Sequence, residues 1–106
     1  FVLTPDSRTA FVQISSFHGF FEMDLDAWAI RRIIALPPLP PGTPVETEWP
    51  FTVDHGLEIS RDGRFLCALA TTGNYMMVYA LPGLEMVKRV DLGVEPGYLA
   101  FSPEGD

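Results

Sequence analysis

Apolar and polar positions along this chain fall into short runs of strand length, separated by turn-forming residues. The alternation predicts strands near 8–14, 18–25 and 30–36, and again near 55–60, 64–70, 75–81 and 86–92. The run at 65–70 is apolar on both faces, so its sheet must be covered on both sides. At 86–92 the pattern changes: Met86, Lys88, Val90 and Leu92 share one face and Val87, Arg89 and Asp91 the other. Rising charge of that kind suits an outer edge strand, where charged side chains discourage edge pairing. A helix over 26–34 is the competing reading, with Asp26 as N-cap and apolar residues at helical spacing. The matching stretch 82–90 opens on Pro82-Gly83 and alternates as a strand, which favours a strand in both places.

That correspondence is part of a repeat. Leu3-Thr4-Pro5-Asp6-Ser7-Arg8, Ile59-Ser60-Arg61-Asp62-Gly63-Arg64 and Phe101-Ser102-Pro103-Glu104-Gly105-Asp106 share one order: apolar, hydroxyl, Pro or Arg, acid, small, polar. The first two copies are 56 residues apart and the last two 42. Held at the 56-residue offset, His18 falls on Asn74, Leu25 on Leu81, Trp28 on Leu84, Ile34 on Val90 and Leu36 on Leu92, with no gap from Leu3 to Leu36. A period of about 40 to 45 residues is that of a four-stranded propeller blade.

The 14 additional residues of the first copy lie at 37–50, which holds six of the ten prolines. Proline withholds a ladder donor and fixes φ, so this stretch is a loop between blades and no central strand. The fold expected is all-β, with four-stranded antiparallel blades, about two and a half of a larger propeller. Its units are a partial blade at 1–36 with a truncated inner strand, the Pro-rich loop at 37–54, a complete blade at 55–96 and the inner strand of a third at 97–106. Such a piece bares apolar sheet faces, so either further blades of a parent propeller or copies of the chain are expected to cover them.

His55-Gly56-Leu57-Glu58-Ile59-Ser60-Arg61-Asp62-Gly63-Arg64-Phe65-Leu66 and Pro96-Gly97-Tyr98-Leu99-Ala100-Phe101-Ser102-Pro103-Glu104-Gly105 resemble the YVTN-type β-propeller repeat of the quinoprotein amine dehydrogenase superfamily. Arg61 stands where that repeat has Pro, and Leu66-Cys67-Ala68 departs from its naming sequence. The resemblance implies a propeller that acts as a binding or interaction scaffold through loops at the channel mouth. The alternative it implies is part of an enzyme propeller, lactonase-like, haem d1-like or amine dehydrogenase-like, with its catalytic groups in other blades. It names no cofactor for this chain, and only through it is a periplasmic or extracellular setting suggested.

Composition narrows the chemistry further. With 47% apolar residues the chain builds a packed core, and no apolar run reaches the roughly 18 to 20 residues that cross a bilayer. A net charge of −7 repels phosphate backbones and argues against nucleic acid as a partner, leaving a protein or small-molecule ligand. Cys67, single and in an apolar run, reads as a core residue. No catalytic constellation and no metal-ligand spacing stands out: the two histidines lack a third ligand, and the serines lack a nucleophile-elbow context. The candidate contacts are Glu48, Trp49, Asp54 and His55, beside the inserted loop, with Asp54 able to orient the His55 imidazole. His18, at a turn, is expected to serve that turn.

Overall fold

The computed structural model describes residues 1–43, 54–93, 96 and 98–104. Among these are eight strands and no helix: β1 (Val2–Leu3), β2 (Thr9–Val12), β3 (Gly19–Asp24), β4 (Ala29–Ala35), β5 (Leu57–Ile59), β6 (Phe65–Ala70), β7 (Tyr75–Ala80) and β8 (Glu85–Asp91). They form two four-stranded antiparallel sheets, each running in chain order from β1 to β4 and from β5 to β8. The stretch at 26–34 is turn and strand, as the alternation requires. Residues 98–102, expected as a further inner strand, lie in no sheet among the described residues. A strand exists through its ladder partner, and among the described residues none pairs with them.

The 56-residue offset governs the backbone in detail. β3 and β7 match at both ends, 19 with 75 and 24 with 80, as do β4 and β8, 29 with 85 and 35 with 91. The register slips between Glu22 and Met23 in one sheet and between Val78 and Tyr79 in the other, again 56 apart. Left-handed φ recurs at Ser7 (58°) and Gly63 (73°), and at Trp28 (51°) and Leu84 (61°). The turn chemistry recurs too. Thr4 Oγ1 donates to Asp6 Oδ1 at 2.6 Å, which accepts from Arg8 N at 3.0 Å; Ser60 Oγ donates to Asp62 Oδ1 at 2.7 Å, which accepts from Arg64 N at 3.1 Å. The Ser60 hydroxyl and the Arg64 donors hold the Asp62 carboxyl down at about 2.

The core fills the space between the sheets. Cross-strand partners share a face, so Val2, Phe11 and Glu22 form one row directed at the second sheet. Against it lie Ile59, Leu66, Ala68, Tyr75, Met77, Tyr79 and Leu84. Phe20 packs edge-on to both Phe11 (6.0 Å between centroids) and Tyr79 (5.2 Å). Each such ring contributes roughly 1.5–3 kcal/mol through burial. Cys67 is buried, and desolvation raises its thiol's pKa, in keeping with a core residue. The other face of the first sheet leaves Leu3, Ile30 and Ile33 exposed.

Candidate functional site

In an antiparallel meander the β2–β3 turn, the β4–β5 connection and the β6–β7 turn all emerge at one end of the sheets. The candidate residues gather there. Asp54 is 1% exposed, and its carboxylate faces His18 of the first sheet, with Nδ1 at 3.0 Å from Oδ1 and 3.1 Å from Oδ2. This pairing spans 36 residues, because a buried carboxylate must find a charged or donating partner. On its other side, His18 Nε2 lies 2.8 Å from the carbonyl oxygen of Pro37, which also accepts from the Tyr75 hydroxyl at 2.8 Å. A carbonyl can only accept, so Nε2 carries a proton. One imidazole thus fastens the stretch leaving β4, at Pro37, and the stretch approaching β5, at Asp54, while Tyr75 fixes the same carbonyl from β7.

Burial pushes the Asp54 carboxyl up to about 6, with the His18 imidazole pulling the other way. Burial, with the Asp54 charge adding to it, pushes the Tyr75 hydroxyl up to about 12, although the Arg89 guanidinium, 4.0 Å from the centre of the Tyr75 ring, opposes the rise. Tyr79, buried nearby, is raised to about 12 for the same first reason, and its hydroxyl has no partner among the described residues.

Two further polar links join the sheets. Gln13 accepts from Gly56 N at 2.7 Å and donates to the Leu69 carbonyl at 3.2 Å, closing the end of β2 onto the second sheet. Gly56 has φ 131°, and a Cβ there would lie 2.7 Å from Leu69 Cδ1, so the chain next to His55 requires glycine. At the opposite end, buried Glu22 accepts from Arg31 Nη1 at 3.1 Å and Arg32 Nε at 2.8 Å. Arg32 continues across the seam to the carbonyls of Gly83 (3.0 Å) and Pro82 (2.8 Å).

His55 is exposed, and its ring meets the Tyr98 ring edge-on, 4.9 Å between centroids. Glu48 and Trp49 lie outside the described residues. His18's role in the seam, Tyr75, Gln13 and the Glu22–Arg32 link escaped sequence reasoning. The usable signal was non-repetition: at the 56-residue offset these polar residues face Asn74, Gly19, Leu69, Val78 and Lys88.

A hydrazine synthase from Kuenenia stuttgartiensis, a β-propeller-containing protein, contains a similar structure: TM-score 0.76 over 97% of this chain at 18% identity. The two sheets are propeller blades. The chain spans 25% of the length of that synthase chain. No protein-family profile matches the chain, and no curated protein matches it significantly. Among the described residues, no three His, Cys, Asp or Glu side chains gather to hold a metal ion, and no helix is long and apolar enough to cross a membrane.

Proposed function

We propose that this chain is part of a YVTN-type propeller serving as a binding scaffold, with contacts carried on the rim where the β4–β5 connection meets the second blade. One observation carries this reading. Asp54 and His18 are committed to holding the blades together, with both His18 nitrogens engaged and Asp54 sealed in, while the His55–Tyr98 aromatic pair faces outward. A proton held between Asp54 and His18 is not offered to a substrate, whereas exposed aromatic rings on a rigid frame suit contact with a protein or small molecule. His55 is the contact residue, Asp54 fixes the chain that presents it, and Glu48 and Trp49 join the surface on the ground of sequence alone. Other blades, or copies of the chain, complete the ring around the unit boundaries at 36, 54 and 96.

A photo-crosslinking residue at 55 or 98, compared with one at the outer-strand position 86, tests this in the full chain within its parent protein. Adducts at 55 and 98 that vanish when 38–48 is deleted are expected. Labelling no stronger than at 86 would overturn it. Turnover lost in His55→Ala without loss of adducts at 98 would favour the enzyme-propeller alternative.

A further inference from the structure

The seam at His18 holds more than a hydrogen-bond network, because its donor and acceptor pattern fixes a proton count. Three sites can hold a proton: Nε2, Nδ1 and the Asp54 carboxyl. Nε2 donates to the Pro37 carbonyl at 2.8 Å; the Tyr75 hydroxyl lies 2.8 Å from the same carbonyl and 3.2 Å from Nε2, so its single proton reaches an unprotonated Nε2 only by leaving that carbonyl. Nδ1 faces two carboxyl oxygens at 3.0 and 3.1 Å, so at least one proton must lie between ring and carboxyl. With three protons, or with two, every contact is satisfied. With one, either the Nδ1 lone pair opposes a carboxylate, or the Nε2 lone pair opposes the Pro37 carbonyl; where the Tyr75 hydroxyl, 3.2 Å away, turns to Nε2, that carbonyl loses both of these donors.

We propose that His18 and Asp54 form a proton-counting latch between the two blades, closed while the pair holds at least two protons and opened when titration to higher pH leaves one. The latch concerns the same rim as the proposed contacts but does not depend on any ligand binding there. The other titratable or charged groups around it act on its electrostatics and not on its count. Tyr75 and Tyr79 face it from β7 and stay protonated well above neutrality. Arg89, on β8, lies over the Tyr75 ring and is paired with Asp91 at 2.9 Å, and His55 follows Asp54 directly in the chain. Opening separates Pro37 or Asp54 from the imidazole and loosens the bonds anchored beside it, from Gly19 N to the Phe17 carbonyl (3.0 Å) and from Leu36 N to the His18 carbonyl (3.1 Å).

The sharpest probe is Asp54→Asn. An asparagine amide donates to an unprotonated Nδ1, so a neutral imidazole with its proton on Nε2 satisfies every contact and the latch no longer needs the second proton. In the full chain, the ¹⁵N shifts of the His18 ring and the exchange protection of the Gly19 and Leu36 amides are followed together as pH rises, with protection corrected for intrinsic exchange. In the native protein, loss of the second ring proton is expected to coincide with a drop of at least tenfold in protection at both amides. In Asp54→Asn, protection at both amides is expected to show no such step as the ring loses its second proton, because the asparagine amide presents its oxygen to Nδ1–H and its NH2 to a bare Nδ1. A native ring that loses its proton with protection unchanged, or Asp54→Asn stepping at the same pH, would overturn the proposal. Should Asp54→Asn fail to fold, the two native curves decide: coincidence supports the latch and separation refutes it.

Discussion

Shifted by 56 residues, the two blades share the limits of their third and fourth strands, a register slip and two left-handed turn positions, yet they share almost none of the polar side chains on the faces they turn in the same direction. Gln13, His18, Glu22 and Arg32 in the first blade become Leu69, Asn74, Val78 and Lys88 in the second. The repeated residues make each sheet and its turns. Those that do not repeat make the seam, because a buried charge or amide is stable only against one particular partner. A blade is therefore a generic object here, and its docking is individual.

The largest expected effect comes from Gly19, which corresponds to Tyr75. A Cβ at Gly19 would collide with the Ile34 carbonyl oxygen and lie 2.6 Å from Phe17 Cε1. Gly19→Ala is expected to cost about 3 kcal/mol in urea denaturation, against about 1 kcal/mol for Tyr75→Phe, which removes one hydrogen bond. If both cost the same, the blades are more alike than their side chains indicate.

Next is the Glu22–Arg32 link. Arg32→Met leaves a carboxylate in the core with Arg31 as its remaining partner and is expected to cost about 2 to 3 kcal/mol. Glu22→Val installs the second blade's pattern and leaves only partly exposed arginines, at about 1 kcal/mol. A reversal of that order in denaturation midpoints would show that the link does not behave as a buried charge pair.

The pH dependence follows from Asp54. Its carboxyl, raised to about 6, binds a proton more tightly in the folded chain than in the unfolded one. Its contribution to stability is therefore fully present below the ordinary value of 3.8 and is lost as pH rises through about 6. Urea midpoints of the native protein, measured relative to Asp54→Asn, are expected to rise as pH falls across that window. A fall would contradict the direction. The smallest effect is expected at Trp28, which is 78% exposed in a left-handed conformation that glycine adopts without strain. Trp28→Gly is expected to stabilise by about 0.5–1 kcal/mol in the same assay, a gain unavailable at Leu84, whose side chain is buried.

Most of the fold was legible because strand, turn and slip are written twice, and agreement between two copies separates backbone requirements from accident. β4 shows this: alone, 26–34 suits a helix, and only its alignment with Pro82-Gly83 and the strand after it reads as β. The site was less legible. Asp54 and His18 are 36 residues apart and belong to no motif, so only the approach of two blades brings them together. The Asp54-His55 adjacency suggested a local pair, whereas neighbouring side chains at a strand's approach diverge, one inward to the seam and one outward to His55's exposed position.

The seam rests on residues that do not repeat, and spin labels placed on Ile30 and Met86, both exposed on outer strands, report on it. Distances between them by pulsed electron resonance would be compared in the native background and in one carrying Gln13→Leu, His18→Asn, Glu22→Val and Arg32→Lys, the second blade's own residues. The expected result is a narrow distribution in the native chain and a broad one in the grafted chain, with amide protection inside each sheet retained. A distribution equally narrow in both would show that the seam holds without these residues.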